Sequence, residues 1–371
     1  MYVSIAEVFV QNKPAGWLHC LLGLFFAIFI RKRHMRSTRG ALIVFVAGLF
    51  LGLFIGIYQA SDMDRIAQGY AVRQRGTKFT NPLLECEVAK DALGDKELRP
   101  FQRQVQDFIG KEMRARRIED IGVYFRDLNN GPSFGINNDK KFSPASLFKV
   151  PLMIAYFKLA ESDPKILGKK LTYTGRSDDN ALEYYRPSQA IQPGKAYTID
   201  ELIYRMIVYS DNNAKDILLS EVDTHLLAQV HLDLGVEIPS GGTPEDFISA
   251  QAYSSFFRVL FNASYLSREM SEKALRYLSE ADFKLGLVAG APPGIPVAHK
   301  FGEHRLKTNA AIKELHDCGI VYYPENPYLL CVMAKGRSFE DIGNVIRDIS
   351  RIVFNEINAQ HKGQAPVVAV K

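Results

Sequence analysis

The chain is predicted to be an α+β protein, an antiparallel sheet flanked by helices with a helical subdomain. Two observations predict this. Strand-like runs stand near the start of the globular part and again near its end, with helix-patterned sequence between them. The last segment is an amphipathic helix, so both ends of the domain return to complete one layered unit.

Residues 98–117 show helical periodicity, with Phe101, Val105, Phe108, Ile109 and Met113 on one side. Residues 121–125 read as a strand, Asn129-Asn130-Gly131-Pro132 as a turn, and 133–136 as the second strand of a hairpin. The apolar run 147–157 is rich enough for a buried helix, with Pro151 early in it, where a missing N–H costs least. After a polar stretch, residues 199–209 form a helix running into Ser210, and 213–219 continue as helix. Beyond the turn-rich 239–244, residues 245–260 and 268–278 are predicted helices. Three strands follow, carrying Lys300, Cys318 and Cys331, and residues 339–357 close the domain as an amphipathic helix.

A length of 371 residues allows one large domain or two small ones. The predicted organisation is an N-terminal apolar and basic stretch at 1–39, a transmembrane anchor at 40–61, a linker at 62–96 and a globular domain at 97–371. Residues 40–61 carry no charge and are long enough to cross a bilayer as a helix. Arg31, Lys32, Arg33, Arg36 and Arg39 precede them, so the positive-inside rule keeps that end cytoplasmic and sends the domain outside the cell membrane. The run at 15–30 is shorter; it is either a second span or the product of an early start, with Met35 as the alternative beginning. Tyr58 spoils a signal-peptidase site ending at Ala60, which favours an uncleaved anchor.

The net charge of +5, from 46 basic and 41 acidic residues, owes much to that basic cluster. No basic stripe with interleaved aromatics remains, which argues against a nucleic-acid partner. Four cysteines and eight scattered histidines offer no zinc spacing, and no metal or cofactor is expected. Cys318 and Cys331 fall on adjacent predicted strands. They are either a disulfide, which an extracytoplasmic site permits, or two small buried residues, and the second reading is preferred.

Three motifs stand in order: Ser146-Leu147-Phe148-Lys149, Ser210-Asp211-Asn212 and Lys300-Phe301-Gly302. Each alone is weak, for the chain also holds Ser162-Asp163-Pro164-Lys165, Ser177-Asp178-Asp179-Asn180 and Lys284-Leu285-Gly286. Taken singly, Ser146 reads as a helix N-cap, Ser210-Asp211-Asn212 as a capping turn and Lys300 as a solvated strand end. Context separates the two sets. Ser146 opens the apolar run and Lys300 follows a strand-like segment, whereas Ser162 lies in a polar turn and Lys284 in no clear strand. The trio resembles the S-x-x-K, S-D-N and K-T-G motifs of the penicillin-recognising serine hydrolases, class A β-lactamases and penicillin-binding DD-peptidases. The resemblance covers residues 98–360, including the helix after Ser146 and the strands holding Cys318 and Cys331.

Ser146 and Lys149, three apart on a helix, share a face. A serine hydroxyl needs a base to take its proton, and burial beside other cations lowers a lysine pKa enough to make one. The resemblance implies Ser146 as nucleophile, Lys149 as base, Ser210 as proton donor to the leaving nitrogen and Lys300 as the charge steadying Ser210 and the substrate carboxylate. It further implies that Asn212 holds a substrate amide, Gly302 lines the site, and the backbone N–H groups of Ser146 and Glu303 form the oxyanion hole.

Two departures stand out. Phe301 replaces the usual hydroxyl residue, and Glu303 adds a negative charge that repels a carboxylate; Arg305 and Thr308 are the candidates to compensate. The stretch after S-D-N lacks the family's deacylating glutamate in its usual setting, leaving Glu237 and Glu245 as candidates. The expectation is a class A-like hydrolase of β-lactam-type amides. The alternatives are a membrane-anchored DD-peptidase acting on D-Ala-D-Ala-type peptides, or a β-lactam sensor in which the acyl group persists.

Overall fold

The computed structural model describes residues 78–81, 94–129, 131–236, 245–306 and 309–361. The expected anchor at 40–61, the run at 15–30, Glu237 and Thr308 lie outside them. No helix among the described residues is long and apolar enough to cross a membrane.

A five-stranded antiparallel sheet forms the centre. Its strands are β1 (Asp120–Asp127), β2 (Ser133–Ile136), β5 (Val297–Arg305), β6 (Lys313–Val321) and β7 (Tyr328–Gly336), in the spatial order β2-β1-β7-β6-β5. The N-terminal hairpin thus pairs with the last strand, and β5 is an edge. Helices α1 (Gly94–Arg114) and α9 (Phe339–Gln360) cover one face. There Phe101, Val105 and Ile109, spaced by four, meet Ile342, Ile346, Ile349 and Val353 over Val123, Phe125 and Val332. Met113, expected on that face, is instead 41% exposed in the last turn of α1.

The other face carries the helical subdomain, built round α2 (Lys149–Ser162). Residues 149–157 of α2 are all buried, so solvent reaches this helix only in its last turns. Around it lie α3 (Ile199–Val208), α4 (Asn212–Glu221), α5 (Thr224–Asp233), α6 (Ala250–Asn262) and α7 (Arg268–Ser279). Between α2 and α3 runs a small two-stranded sheet, β3 (Lys170–Thr172) with β4 (Ala196–Thr198). The four-residue α8 (Leu287–Gly290) leads towards β5.

Several boundaries differ from expectation. The helix predicted from 245 begins at Ala250, because Ser249 caps it by accepting from the Ala252 N–H. Helix α5, capped by Asp223, and the small sheet were not separated from their polar surroundings by periodicity. Within the stretch read as linker, residues 78–81 bind the domain. The Glu272 carboxylate accepts from the Lys78, Phe79 and Thr80 N–H groups, and Phe79 packs edge-on against Tyr322. Cys318 and Cys331, directly opposite on β6 and β7, are joined by a disulfide rather than standing as two separate buried residues. In register, Lys300 lies opposite Cys318, and Tyr124 opposite Cys331, so the bond sits one strand behind Lys300.

Candidate active site

Ser146 stands in a 3-10 turn, Ala145–Phe148, that runs directly into α2 with Lys149 as its first residue. The expected regular helix over both residues is therefore a tighter turn followed by helix. Ala145 takes a left-handed φ of 46°, costly for a residue with a Cβ. The surroundings hold it there. The Ser143 N–H donates to Glu314 Oε2 at 3.2 Å, and its carbonyl meets His316 Nε2 at 3.0 Å. Both partners project from β6 and are fully buried, and Lys335 pairs with Glu314 at 2.7 Å. Burial alone would raise the Glu314 pKa; the hydrogen bonds and charges of His316 and Lys335 outweigh it and hold the carboxyl down at about 2.

The second motif divides its labour. Asp211 is a buried N-cap of α4: Oδ1 accepts from the Asn213 and Ala214 N–H groups and from Asn180 Nδ2, and Oδ2 from the Ile191 N–H. Ser210, at a left-handed φ of 57°, turns both its carbonyl and its hydroxyl to the lysines. Lys149 Nζ donates to the Ser210 carbonyl at 2.6 Å and lies 3.1 Å from its Oγ. Lys300 Nζ lies 2.9 Å from the same Oγ and donates to the Phe301 carbonyl at 3.0 Å.

Both lysines are 1% exposed. Burial, then the charges of Lys300 and Lys215, drive the Lys149 pKa well below its usual value despite Glu183 and Asp211. Burial lowers Lys300 to about 7 against the opposing pull of Asp317, Glu183 and Glu303. Gly302 closes the site. A Cβ there would stand 3.2 Å from the Ser146 and Leu147 nitrogens, so a side chain would crowd the Ser146 turn against edge strand β5.

The Phe301 ring lies beside Lys300, its centroid 4.2 Å from Nζ. It stacks on Phe283 with centroids 4.1 Å apart and meets Tyr185 edge-on. Glu303, on the same side of the strand, is 8% exposed. Its carboxylate accepts from the Tyr185 N–H at 2.7 Å and the Tyr184 N–H at 3.1 Å. Beside it stands Glu183, a residue that the sequence did not single out. Glu183 Oε1 accepts from Asn212 Nδ2 at 2.7 Å, and its carboxyl helps raise the Glu303 pKa. A groove of about 350 Å³ lies alongside, lined by Tyr184, Tyr185, Tyr209, Phe283, Leu285 and Phe301 among others.

Thus Lys149, Ser210 and Lys300 converge through direct contacts, Ser146 abuts Gly302, and Asn212 and Glu303 are linked through Glu183. Glu245 is instead bound to His304 Nε2. Arg305 lies over the Phe339 ring. The lookalike motifs resolve as well. Asp163 caps a 3-10 turn, and Lys284 Nζ donates to the Ala281 carbonyl. Ser177-Asp178-Asp179-Asn180 docks on the true motif: Asn180 Oδ1 accepts from the Asn212 N–H, and Asp178 Oδ1 from Asn213 Nδ2.

Comparison with known proteins decides the affiliation. The sequence model described as the beta-lactamase enzyme family matches residues 100–357. The chain belongs to that family. Similar members include Beta-lactamase SME-1 of Serratia marcescens, 26% identical over 125 residues, which are 34% of this chain and 38% of the relative. Beta-lactamase ROB-1 of Haemophilus influenzae is 32% identical over 102 residues, 28% of this chain and 32% of the relative. The chain therefore spans about a third of the length of these two relatives. A beta-lactamase of Bacillus licheniformis aligns further, at 23% identity over 65% of this chain and 80% of its own length. Among solved structures, PBP-A superposes with a TM-score of 0.58 at 23% identity, covering 71% of this chain and 97% of PBP-A. A beta-lactamase from Chitinophaga pinensis DSM 2588 gives 0.60 at 23% identity, covering 70% and 100%. These likenesses show the β-lactamase/penicillin-binding fold.

Proposed function

We propose that this member of the beta-lactamase family is a serine acyltransfer enzyme that opens β-lactam-type amides through an acyl-enzyme on Ser146. The observation that carries the reading is the meeting of two buried lysines on the Ser210 hydroxyl beside a nucleophile turn packed on Gly302. Neutral Lys149 takes the proton of Ser146 as its Oγ bonds to the carbonyl carbon. The resulting oxyanion is met by the backbone N–H groups of Ser146 and Glu303. As the C–N bond breaks, Ser210 gives its proton to the leaving nitrogen and recovers one from Lys149, which ends neutral. Lys300 holds the Ser210 oxygen throughout. Water then adds to the acyl carbon, its proton passing to a base, and the bond to Ser146 Oγ breaks as Oγ regains a proton, releasing the ring-opened acid.

A second reading, a long-lived acyl-enzyme as in a penicillin-binding protein or sensor, is favoured by one observation: Glu245 is engaged with His304. We further propose that residues 40–61 anchor the domain at the outer face of a membrane. A time course of fluorescent penicillin on the purified protein, followed by intact mass, tests the reading. Adduct formation and loss with product release support a β-lactamase, a persistent adduct supports the second reading, and no adduct rejects both.

A further inference from the structure

The acyl-enzyme reading leaves open what the acyl group carries, and the side chains around Asn212 bear on it. Asn212 spends both amide hydrogens within the protein, on Glu183 Oε1 at 2.7 Å and on the Asp179 carbonyl at 3.3 Å. The polar wall running from Asn212 to β5 is therefore made of acceptors: the Glu183 carboxyl and, beside it, the Glu303 carboxyl, which accepts from the N–H groups of Tyr184 and Tyr185 next along the chain from Glu183. Glu303 follows Gly302, the residue in contact with the Ser146 nitrogen, so this wall stands beside the reacting atoms. No cation among the described residues is bonded to either carboxyl. Lys149 and Lys300 are turned to Ser210, Arg186 donates to the Ala181 carbonyl, and Arg305 covers Phe339.

Two carboxyls in contact do not readily both ionise. Burial raises Glu303 to about 7, with the neighbouring Glu183 adding to it and the Tyr185 and Tyr184 N–H groups opposing it. The loop that carries Glu183 also exposes apolar surface: Leu182 is 87% exposed, and Tyr184, whose ring packs on Tyr185 and Phe339, 54%. A cation arriving here meets two neighbouring carboxyls, and the exposed Tyr184 offers it a second attraction. A carboxylate arriving here meets only repulsion and acceptors.

We propose that Glu183 and Glu303 select acyl donors bearing an ammonium group on an apolar side chain next to the scissile carbonyl. This inference rests on the acyl-enzyme reading. The pair adds a specificity determinant to a site already defined by Ser146, Lys149 and Ser210, and explains why a glutamate is tolerated beside the nucleophile.

Three penicillins that differ at one side-chain carbon supply the test: ampicillin carries an ammonium there, benzylpenicillin only hydrogen and carbenicillin a carboxylate. Acylation of the full-length chain is timed by intact mass and mapped to Ser146. The expected order is ampicillin, benzylpenicillin, carbenicillin, with a span of roughly tenfold or more, as suits a half-buried charge contact. Glu183→Gln and Glu303→Gln should each compress that span. Acylation of Ser146 by all three at equal rates, or fastest by carbenicillin, overturns this inference alone. So does an order unchanged in both variants. Failure of all three to acylate Ser146 overturns the acyl-enzyme reading and this inference with it.

Discussion

Lys149 and Lys300 share one partner: their ammonium nitrogens lie 3.1 and 2.9 Å from the same Ser210 Oγ. Two buried cations this close do not both keep their charge, and burial pushes both lysines down, Lys149 well below its usual value and Lys300 to about 7. In the proposed mechanism Lys149 is the base and Lys300 the anchor. Removing the base while keeping its volume, Lys149→Met, should slow acylation of Ser146 by about 10²–10⁴-fold. Stopped-flow measurement of the acylation rate checks it; a rate within a factor of two of the parent reassigns the base.

The site should leave a two-part mark on stability against pH. Glu303 is raised from 4.5 to about 7, so the folded protein holds a proton that the unfolded chain has lost, and stability falls as pH rises through that window. Lys300 is lowered from 10.5 to about 7, so the unfolded chain binds the extra proton, and stability rises with pH between those values. Urea unfolding across pH should show Glu303→Gln gaining on the parent between pH 4.5 and 7, on the order of 1–3 kcal/mol. Lys300→Met should lead the parent at pH 7 and lose that lead towards pH 10.5. Parallel curves for parent and variants would contradict the placement of these charges.

Ser143 is held at both its backbone polar groups by β6, which fixes the turn that presents Ser146. His316→Phe should therefore lower the acylation rate by at least about tenfold, as small misplacements of a reacting group do. Penicillin binding to the same variant in a Ser146→Ala background should change little. Equal loss of both would mean that His316 supports the fold alone. Glu314, held at about 2, contributes stability that is present above 4.5 and lost as pH falls towards 2; Glu314→Gln should flatten that acid limb.

Phe301→Thr restores the hydroxyl usual in the third motif and breaks the stack on Phe283. Thermal or urea unfolding should show a loss of roughly 2–4 kcal/mol, the cost of emptying an aromatic site. The Phe301 ring also lies 4.2 Å from Lys300 Nζ, so the shorter side chain frees space beside that cation, and penicillin acylation should rise several-fold. An unchanged or lowered rate would mean that Phe301 does not obstruct the substrate carboxylate.

Much of this fold was legible. The order of strands and helices follows from periodicity, and the three true motifs were separable from their lookalikes by the elements around them. What escaped depends on contacts between distant stretches. Ser177-Asp178-Asp179-Asn180 read as a near-copy of the second motif, yet it is the surface on which Asp211, Asn212 and Asn213 dock. Glu183 carries no local signal, since an acidic residue in a polar stretch is ordinarily solvated. Only the folding of that loop onto β5 brings it to Glu303. The disulfide had both cysteines on adjacent strands in prediction, but register decides whether they meet, and register is set by pairing along the whole of β6 and β7. Helix α5 lacked a clean apolar stripe, because only Leu227, Val230 and His231 of it are buried.

The most direct test of the account is the site of covalent labelling. The full-length chain is exposed to penicillin, its intact mass recorded, and the adduct located by peptide mapping, beside a Ser146→Ala variant. One adduct on Ser146, absent from the variant, is the predicted result. Labelling elsewhere, or undiminished labelling of Ser146→Ala, would contradict it.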